Sequence, residues 1–171
     1  MSELDASLDG THASLFDEAK FRQVLGHFPT GVVVVTAMHE RAPAGIAIGS
    51  FTSVSLDPPL VGFFPGKSSS SWPHIEAAGV FCVNVLAEDQ EDVCRVFASR
   101  GADKFAGIGY RTGRTGAPMI NDALAWIECT IERVDEVGDH YFVVGRVLDL
   151  DVAHEGKPLI FFRGGYGRFD V

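Results

Sequence analysis

The apolar positions of the chain fall into short runs that are typical of β-strands. Residues 32–37 form a β-branched run that is too short for a helix and fits a strand buried on both faces. Gly138 and Asp139 separate two longer apolar segments and indicate a hairpin turn. Strands are therefore predicted at residues 32–37, 46–55, 60–64, 80–86, 123–134, 140–150 and 159–163.

Three segments are predicted as helices. Phe21, Val24, Leu25 and Phe28 recur three and four residues apart, which predicts a helix with one apolar stripe over 17–28. Shorter helices are expected at 72–78 and 88–99, and loops or turns at 39–45, 65–71 and 101–118. Strands that follow one another without regular helical crossovers argue against a doubly wound α/β fold. The pattern predicts a mainly β fold, a closed or partly closed antiparallel barrel with a few peripheral helices.

Length and composition suit one domain. The chain has 171 residues, of which 46% are hydrophobic, enough for a core of its own. Residues 1–13 are small and polar and are predicted to form a flexible acidic tail. A single domain is predicted over 14–171.

Charge and cysteine content exclude several classes of protein. The formal net charge of -9, from 14 basic and 23 acidic residues, argues against a nucleic-acid binder. No run approaches the roughly 20 apolar residues that span a bilayer, and no signal-peptide pattern opens the chain. Cys82, Cys94 and Cys129 form no Cys-x-x-Cys pair, and the histidines lack metal-ligand spacing. We expect a cytoplasmic protein with reduced thiols, no metal, no membrane contact and no nucleic-acid partner.

Hydroxyl side chains gather in the segment 51–59. Ser53 and Ser55 lie two residues apart, which places them on one face of an extended chain. Pro58 and Pro59 then exclude a helix. Facing hydroxyls and free backbone N–H groups can hold a polar heterocycle. Solvated serines at a strand end are the alternative.

Two loops and one turn add candidate binding residues. Residues 67–72, Lys-Ser-Ser-Ser-Ser-Trp, bring a cation and four hydroxyls to a helix start, which suits a phosphate. The alternative is a flexible loop in which Ser71 caps the helix. Residues 103–106, Asp-Lys-Phe-Ala, offer a second cation beside an aromatic ring, or a simple Asp–Lys surface pair. His140 can hydrogen-bond to a carboxamide or stack on a ring, or is an exposed turn residue.

Seven motifs occur in an order that is known from one family. They are Gly-Val-Val-Val-Val-Thr at 31–36, Ser-Phe-Thr-Ser-Val-Ser-Leu-Asp-Pro-Pro-Leu-Val at 50–61, Lys-Ser-Ser-Ser-Ser-Trp at 67–72, Phe-Cys-Val-Asn-Val-Leu-Ala at 81–87, Asp-Lys-Phe-Ala-Gly at 103–107, Gly-Asp-His at 138–140 and Phe-Arg-Gly at 162–164. Over about residues 17–169 the chain resembles the short-chain flavin reductases, the reductase components of two-component flavin-dependent monooxygenases. A narrower resemblance points to the reductases of steroid-degrading monooxygenases in actinobacteria.

The resemblance implies a fold and a set of site residues. The fold would be a flavin-binding split β-barrel, Greek-key-like, in a homodimer. His140 would be the catalytic residue and contact the nicotinamide, while Tyr166 and Arg168 would lie at the edge of the site. The phosphate end of the flavin would lie near Lys67, Ser71 and Trp72. In all, the cofactor-binding residues would be Thr36, Gly49, Ser50, Ser53, Val54, Ser55, Lys67, Ser71, Trp72, Lys104, Phe105 and Ala106.

The resemblance also implies the activity. The protein would use NADH or NADPH to reduce FMN or FAD, with the two rings stacked roughly 3–3.5 Å apart for hydride transfer. Reduced flavin would then diffuse to a separate oxygenase. Ile48 and Gly49 depart from the family, since many relatives carry polar side chains there, so the ring contacts would rely on backbone N–H groups. A tight flavin-binding electron carrier, or an oxidase of a phosphorylated ring substrate, are the alternatives.

Overall fold

The computed structural model describes residues 16–101 and 103–170. The segment 1–13, predicted as a flexible acidic tail, lies outside the described residues. Three helices are present, α1 (Glu18–Leu25), α2 (Trp72–Ala78) and α3 (Glu91–Ala98). The strands are β1 (Thr30–Gly31), β2 (Val33–His39), β3 (Ala42–Ile48), β4 (Thr52–Leu56), β5 (Pro59–Phe63), β6 (Val80–Val85), β7 (Tyr110–Thr112), β8 (Pro118–Ile120), β9 (Ala125–Val137), β10 (His140–Val152), β11 (Leu159–Phe162) and β12 (Gly165–Arg168).

A seven-stranded antiparallel sheet dominates the molecule. Its strand order is β3-β2-β6-β9-β10-β5-β4, and two small sheets, β1-β11-β12 and β7-β8, accompany it. The prediction of a mainly β fold with few helices is therefore confirmed. Each of the seven pairs with its neighbours in the antiparallel sense.

The chain connectivity forces this sheet to curve. The edge strands β3 and β4 are consecutive, with only residues 49–51 between them. Four Cα steps reach at most about 15 Å. In a flat sheet of seven strands the edges would lie about 29 Å apart, because neighbouring strands are about 4.8 Å apart. The two edges must therefore approach each other, and the loop that joins them lies where they meet.

Several local expectations were wrong in their boundaries. The turn predicted at 39–45 is confined to Glu40 and Arg41, which have φ values of +49° and +67°. Pro43 and Gly45 lie in β3, where proline is tolerated because the strand is at an edge. The loop predicted at 101–118 contains β7, and the strand predicted to be the last is followed by β12.

The core has two main parts, one on each face of the sheet. One part packs α2 against the strands through residues such as Phe63, Ile75 and Phe81. The other packs α3 against them through Cys94 and Phe97. By contrast, α1 buries no residue, and its predicted apolar stripe is exposed.

Gly45 is required by the contact between β3 and α3. A Cβ atom at this position would lie 2.5 Å from Cε1 of Phe97. We expect Gly45→Val to lower the free energy of unfolding by about 1–3 kcal/mol, since the buried ring must move. Urea unfolding followed by circular dichroism measures this loss.

Gly31→Val is the matched control for Gly45→Val. A Cβ at Gly31 would meet nothing within 4 Å, so its effect should stay within about 0.5 kcal/mol. Equal losses for the two variants would contradict the packing argument.

Candidate functional site

An open cleft of about 1200 Å³ lies beside the edge strand β3. The wall on one side is formed by Ile46–Ser50 and Phe64, and on another by α1. The turn between β9 and β10 closes one end through Asp139 and His140. The cleft thus brings Gly49, Ser50 and His140 together, which are far apart in the sequence.

The position of His140 is set by a tight turn. Gly138 adopts a φ of +59°, in the left-handed region that favours glycine, and His140 begins β10 two residues later. The Nδ1 atom of His140 lies 2.7 Å from a carboxylate oxygen of Asp139. This hydrogen bond lowers the pKa of Asp139. In the neutral ring Nδ1–H donates to Asp139, so that Nε2 is left as an acceptor on the other side of the ring.

Ser50 fixes the loop between the two sheet edges. Its hydroxyl oxygen accepts a hydrogen bond of 3.0 Å from the backbone N–H of Phe64. Gly49 and Ser50 are exposed at the cleft. Ile48 also borders the cleft, but its side chain is buried in the core. Contacts from this loop to a ligand therefore depend on backbone groups and on the Ser50 hydroxyl.

A β-bulge separates the two serines of β4. Ser53 pairs with Val61, but Ser55 pairs with Leu60, its neighbour along β5. Because adjacent residues of a strand point to opposite faces, the two serines face opposite ways. The expectation that they share a face is corrected. Val54, at the bulge, is partly exposed.

A second cavity of about 330 Å³ lies at the other end of β3. It is lined by Ala42–Gly45, Ser70, Ser71, His74, Gly101, Lys104 and Phe105. Since β3 continues from Gly45 into Ile46, the two cavities follow one another along a single strand. A ligand with a ring at one end and an anion at the other would fit this arrangement.

Lys104 lies at the wall of the second cavity. It is 9% exposed, and its Nζ donates to the hydroxyl of Ser71 at 3.1 Å and to the carbonyl of Phe97 at 3.0 Å. A longer bond of 3.4 Å reaches the carbonyl of Gly45. All three acceptors are uncharged, and burial lowers the pKa of Lys104. A buried cation whose acceptors are neutral favours an anion in the adjacent cavity.

The residues next to Lys104 have different roles. Phe105 packs edge-on against Phe97 and Tyr110, with ring centroids 4.9 and 5.3 Å apart. Ala106 is exposed, and its N–H donates to the carboxylate of Asp103 at 3.1 Å. Asp103 thus shapes this turn instead of forming the surface pair with Lys104 that was the alternative.

Two predicted site residues lie inside the core. Thr36 is completely buried in β2, and its hydroxyl lies within hydrogen-bond distance of the carbonyls of Cys82 and Pro118. Trp72 is 2% exposed and packs edge-on against Phe63 at 6.0 Å. Neither residue lines either of these two cavities, so their predicted contact with a cofactor stays a prediction from the resemblance.

Lys67 and Ser71 have different surroundings. Lys67 forms an ion pair with Glu136 at 2.8 Å beside the first cavity, while Ser71 lies in the second with Lys104. Tyr166, expected at the edge of the site, instead lies beside α3, where its hydroxyl is 3.2 Å from the sulfur of Cys94. Arg168 lies 3.7 Å from Glu88.

Sequence reasoning missed the contribution of the acidic residues and of α1 to the cleft. Asp139 was noted only as a turn residue, yet its carboxylate fixes the ring of His140. The Asp-His pair in the sequence was a usable signal. The sequence predicted the apolar stripe of α1 but gave it no part in the site, whereas Phe21 and Leu25 line the cleft. Nothing local could have shown this, because helix and strand meet only in the fold.

Other types of site are not supported in the described part of the chain. No group of three or more His, Cys, Asp or Glu side chains is placed there to hold a metal ion. Within residues 16–101 and 103–170, each helix is too short or too polar to span a bilayer.

Comparison with known proteins identifies the family. The flavin reductase like domain matches residues 25–170, which is most of the chain. The chain belongs to the flavin reductase family. A flavin reductase from Pseudomonas putida is 54% identical over 157 residues, covering 91% of this chain and 92% of that protein.

Two further flavin reductase family members bear on the site. The reductase subunit HsaB of a flavin-dependent monooxygenase from Rhodococcus jostii is 47% identical over 154 residues, covering 90% of this chain and 79% of that protein. This similarity agrees with the narrower resemblance to steroid-degrading reductases. The structure of an NADH:FAD oxidoreductase from Streptomyces globisporus, in complex with NAD and FAD fragments, superposes with a TM-score of 0.86 at 38% identity. It covers 92% of this chain and 98% of that one.

Proposed function

We propose that this chain uses NADH or NADPH to reduce FMN or FAD and supplies the reduced flavin to a separate monooxygenase component. The observation that carries the proposal is the cleft that brings Gly49, Ser50 and His140 together in a member of the flavin reductase family. The similar monooxygenase reductase subunit and the similar NADH:FAD oxidoreductase support the choice of partner and substrates.

The residues present fit a flavin nucleotide. A flavin supplies the ring that accepts the hydride, and the protein supplies binding and orientation. Ile46, Phe64 and the exposed backbone at Gly49 offer an apolar wall with polar backbone groups, as a fused heterocycle requires. At the other end of β3, Lys104 and Ser71 offer a cation and a hydroxyl to a phosphate.

The remaining site residues complete this proposal. Ser50 orients the loop at the ring. Ser53, Val54 and Ser55 on β4 line neither cavity, and their contact with the flavin stays a prediction from the resemblance. Phe105 and Ala106 cover the flavin from the loop after α3. His140 holds the nicotinamide, because its Nε2 is free of Asp139 and can accept a hydrogen bond from the carboxamide. No protein nucleophile is needed for this reaction.

The finer fold and assembly are part of the proposal. We propose that the curved sheet forms a split barrel, open between β3 and β4, and that two chains form a homodimer. Phe28 is 73% exposed and Leu56 94% exposed, and α1 buries none of its apolar residues. Exposed apolar surface of this kind marks protein contacts. Sedimentation at equilibrium tests the dimer, and a monomer at all concentrations would reject it.

A cytoplasmic location and a single domain over 14–171 stay predictions from the sequence.

The proposed activity has a direct test. NADH and NADPH oxidation is followed at 340 nm with purified protein and excess FMN, FAD or riboflavin. Turnover that rises with added flavin supports the reductase and ranks its substrates. Absence of turnover with every pair, from folded protein, rejects it. A flavin that stays bound through gel filtration at near-unit occupancy would favour the electron carrier.

Removal of the Lys104 charge should affect flavins that carry phosphate. We expect Lys104→Met to raise the KM for FMN roughly 10- to 100-fold, since a hydrogen bond to a charged group contributes about 1.5–3 kcal/mol. The KM for riboflavin, which has no phosphate, should rise much less. Steady-state oxidation of NADH measures both values.

Lys157→Met is the control for this variant. Lys157 has a side chain that is 43% exposed, pairs with Asp170 and lines neither cavity. An equal rise in KM for FMN and riboflavin in Lys104→Met would show that Lys104 only anchors its loop to β3.

A further inference from the structure

The segment before α2 and the turn between β9 and β10 are joined by backbone hydrogen bonds. The N–H of Lys67 donates to the carbonyl of Asp139 at 2.9 Å, and the N–H of Tyr141 donates to the carbonyl of Pro65 at 3.0 Å. Between these two bonds, Gly66 lies opposite His140 in an antiparallel bridge. The segment 65–67 therefore lies beside the histidine that we assign to the nicotinamide.

The side chain of Lys67 adds a second connection to the same turn. Its Nζ donates to a carboxylate oxygen of Glu136 at 2.8 Å. It also lies 5.6 Å from the centroid of the Tyr141 ring, within the range of a cation–π contact. Glu136 and Tyr141 flank the turn on opposite strands, since they pair with each other in the ladder between β9 and β10. Lys67 thus contacts both strands of the hairpin close to His140.

The charges around Lys67 disfavour a phosphate. Glu136 is its ion-pair partner, and the Asp139 carboxylate also raises the pKa of Lys67 through its charge. Two carboxylates and one ammonium leave a net charge of -1 at this place. Lys104, by contrast, has neutral acceptors only. The cation that suits a phosphate is therefore Lys104, and the sequence-based role of Lys67 at the phosphate end needs revision.

We propose that Lys67 and Glu136 form a positioning pair that holds the β9–β10 turn in place, so that His140 faces the cleft. The pair touches neither substrate, and it acts on the use of the nicotinamide through the placement of His140. This inference rests on the proposed function, because it assigns His140 to the nicotinamide. It gives the two lysines of the sequence motifs different roles. Lys67 is a positioning residue, and Lys104 is the residue that binds phosphate.

Kinetics of single and double variants test the pair. Lys67→Met and Glu136→Gln should each raise the KM for NADH roughly threefold to fivefold, the range of a solvent-exposed ion pair. The double variant should resemble either single variant, because both changes break the same interaction. The exchange Lys67→Glu with Glu136→Lys should recover part of the loss. The KM values for FMN and riboflavin should stay within twofold throughout.

The control is a matched ion pair on the same hairpin. Arg146 on β10 pairs with Glu132 on β9, away from the turn and from both cavities. Arg146→Met should leave the KM for NADH unchanged. If Lys67→Met raises the KM for FMN but not for riboflavin, Lys67 binds phosphate and the proposal is overturned. An unchanged KM for NADH in Lys67→Met overturns it equally.

A second measurement does not depend on activity. The imidazole proton signals of His140, assigned by their loss in His140→Ala, should shift in Lys67→Met and Glu136→Gln and stay in place in Arg146→Met. Unshifted signals would overturn the positioning role. Should the wild-type protein fail to oxidise NADH, the proposed function fails by itself, and this spectroscopic result still decides whether the pair positions His140.

Discussion

Replacement of His140 by alanine is expected to raise the KM for NADH roughly 10- to 100-fold with little change in the KM for FMN. The imidazole lies at the end of the cleft, where Asp139 fixes its Nδ1 and leaves Nε2 as an acceptor. Its loss removes one polar contact to the nicotinamide and one ring face, which together contribute about 1.5–3 kcal/mol. Steady-state oxidation of NADH at 340 nm, with each substrate varied in turn, measures the two KM values.

The comparison with two other variants makes the His140 result specific. His154→Ala removes an exposed histidine that lines neither cavity, and it should behave as wild type. His140→Gln keeps a hydrogen-bonding group and should retain part of the activity. Equal losses toward NADH and FMN in His140→Ala would reject the assignment of His140 to the nicotinamide and would point to a general effect on the cleft.

Replacement of Trp72 by alanine is expected to lower the free energy of unfolding by about 3–5 kcal/mol, the largest stability effect that we predict. The indole is 2% exposed and belongs to the core cluster that contains Phe63 and Phe81. Removal of the indole leaves a cavity in the core. The surrounding side chains cannot fill it, because the curved sheet holds them in place. Urea unfolding followed by far-ultraviolet circular dichroism measures the loss, because this signal comes from the backbone and not from the replaced tryptophan.

Trp72→Phe separates packing from hydrogen bonding at this site. The indole Nε1 has no hydrogen-bond partner within the described residues, so phenylalanine removes an unsatisfied group while it keeps most of the ring. The free energy of unfolding should fall much less in Trp72→Phe than in Trp72→Ala. If Trp72→Ala remained within about 1 kcal/mol of wild type but lost flavin turnover, Trp72 would be a cofactor-binding residue, as the sequence suggested.

The pattern of residues in the sequence correctly predicted the elements that depend on the preferences of a few adjacent residues. The β-branched residues of β2 and the Gly138-Asp139 turn between β9 and β10 are found where the sequence placed them. The helix α2 begins at Trp72 and ends at Ala78, and Gly79 follows it with a left-handed φ of +69°. In each case a side-chain preference or a glycine conformation acts within a few residues.

Where the sequence-based prediction of an element was wrong, a long-range contact overrode the local preference. Pro43 and Gly45 are turn formers, yet they extend β3 because this strand pairs with β2 along its whole length. The short strands β7 and β12 carry little periodicity and exist because β8 and β11 pair with them. Similarly, the bulge at Val54 depends on the register with β5. None of these partners can be identified from one segment alone.

The site divides in the same way between what the sequence determines and what the fold determines. Lys67 and Lys104 stand in comparable contexts, each in a polar loop near an aromatic residue, and the sequence assigned both to the cofactor. The fold brings Glu136, 69 residues away, to the first lysine and buries the second against the carbonyl of Phe97. The residue types that can bind a flavin nucleotide, and the family to which the chain belongs, follow from the sequence. Which of those residues face the cleft follows only from the pairing of distant strands, because the strand order decides which charges and carbonyls become neighbours.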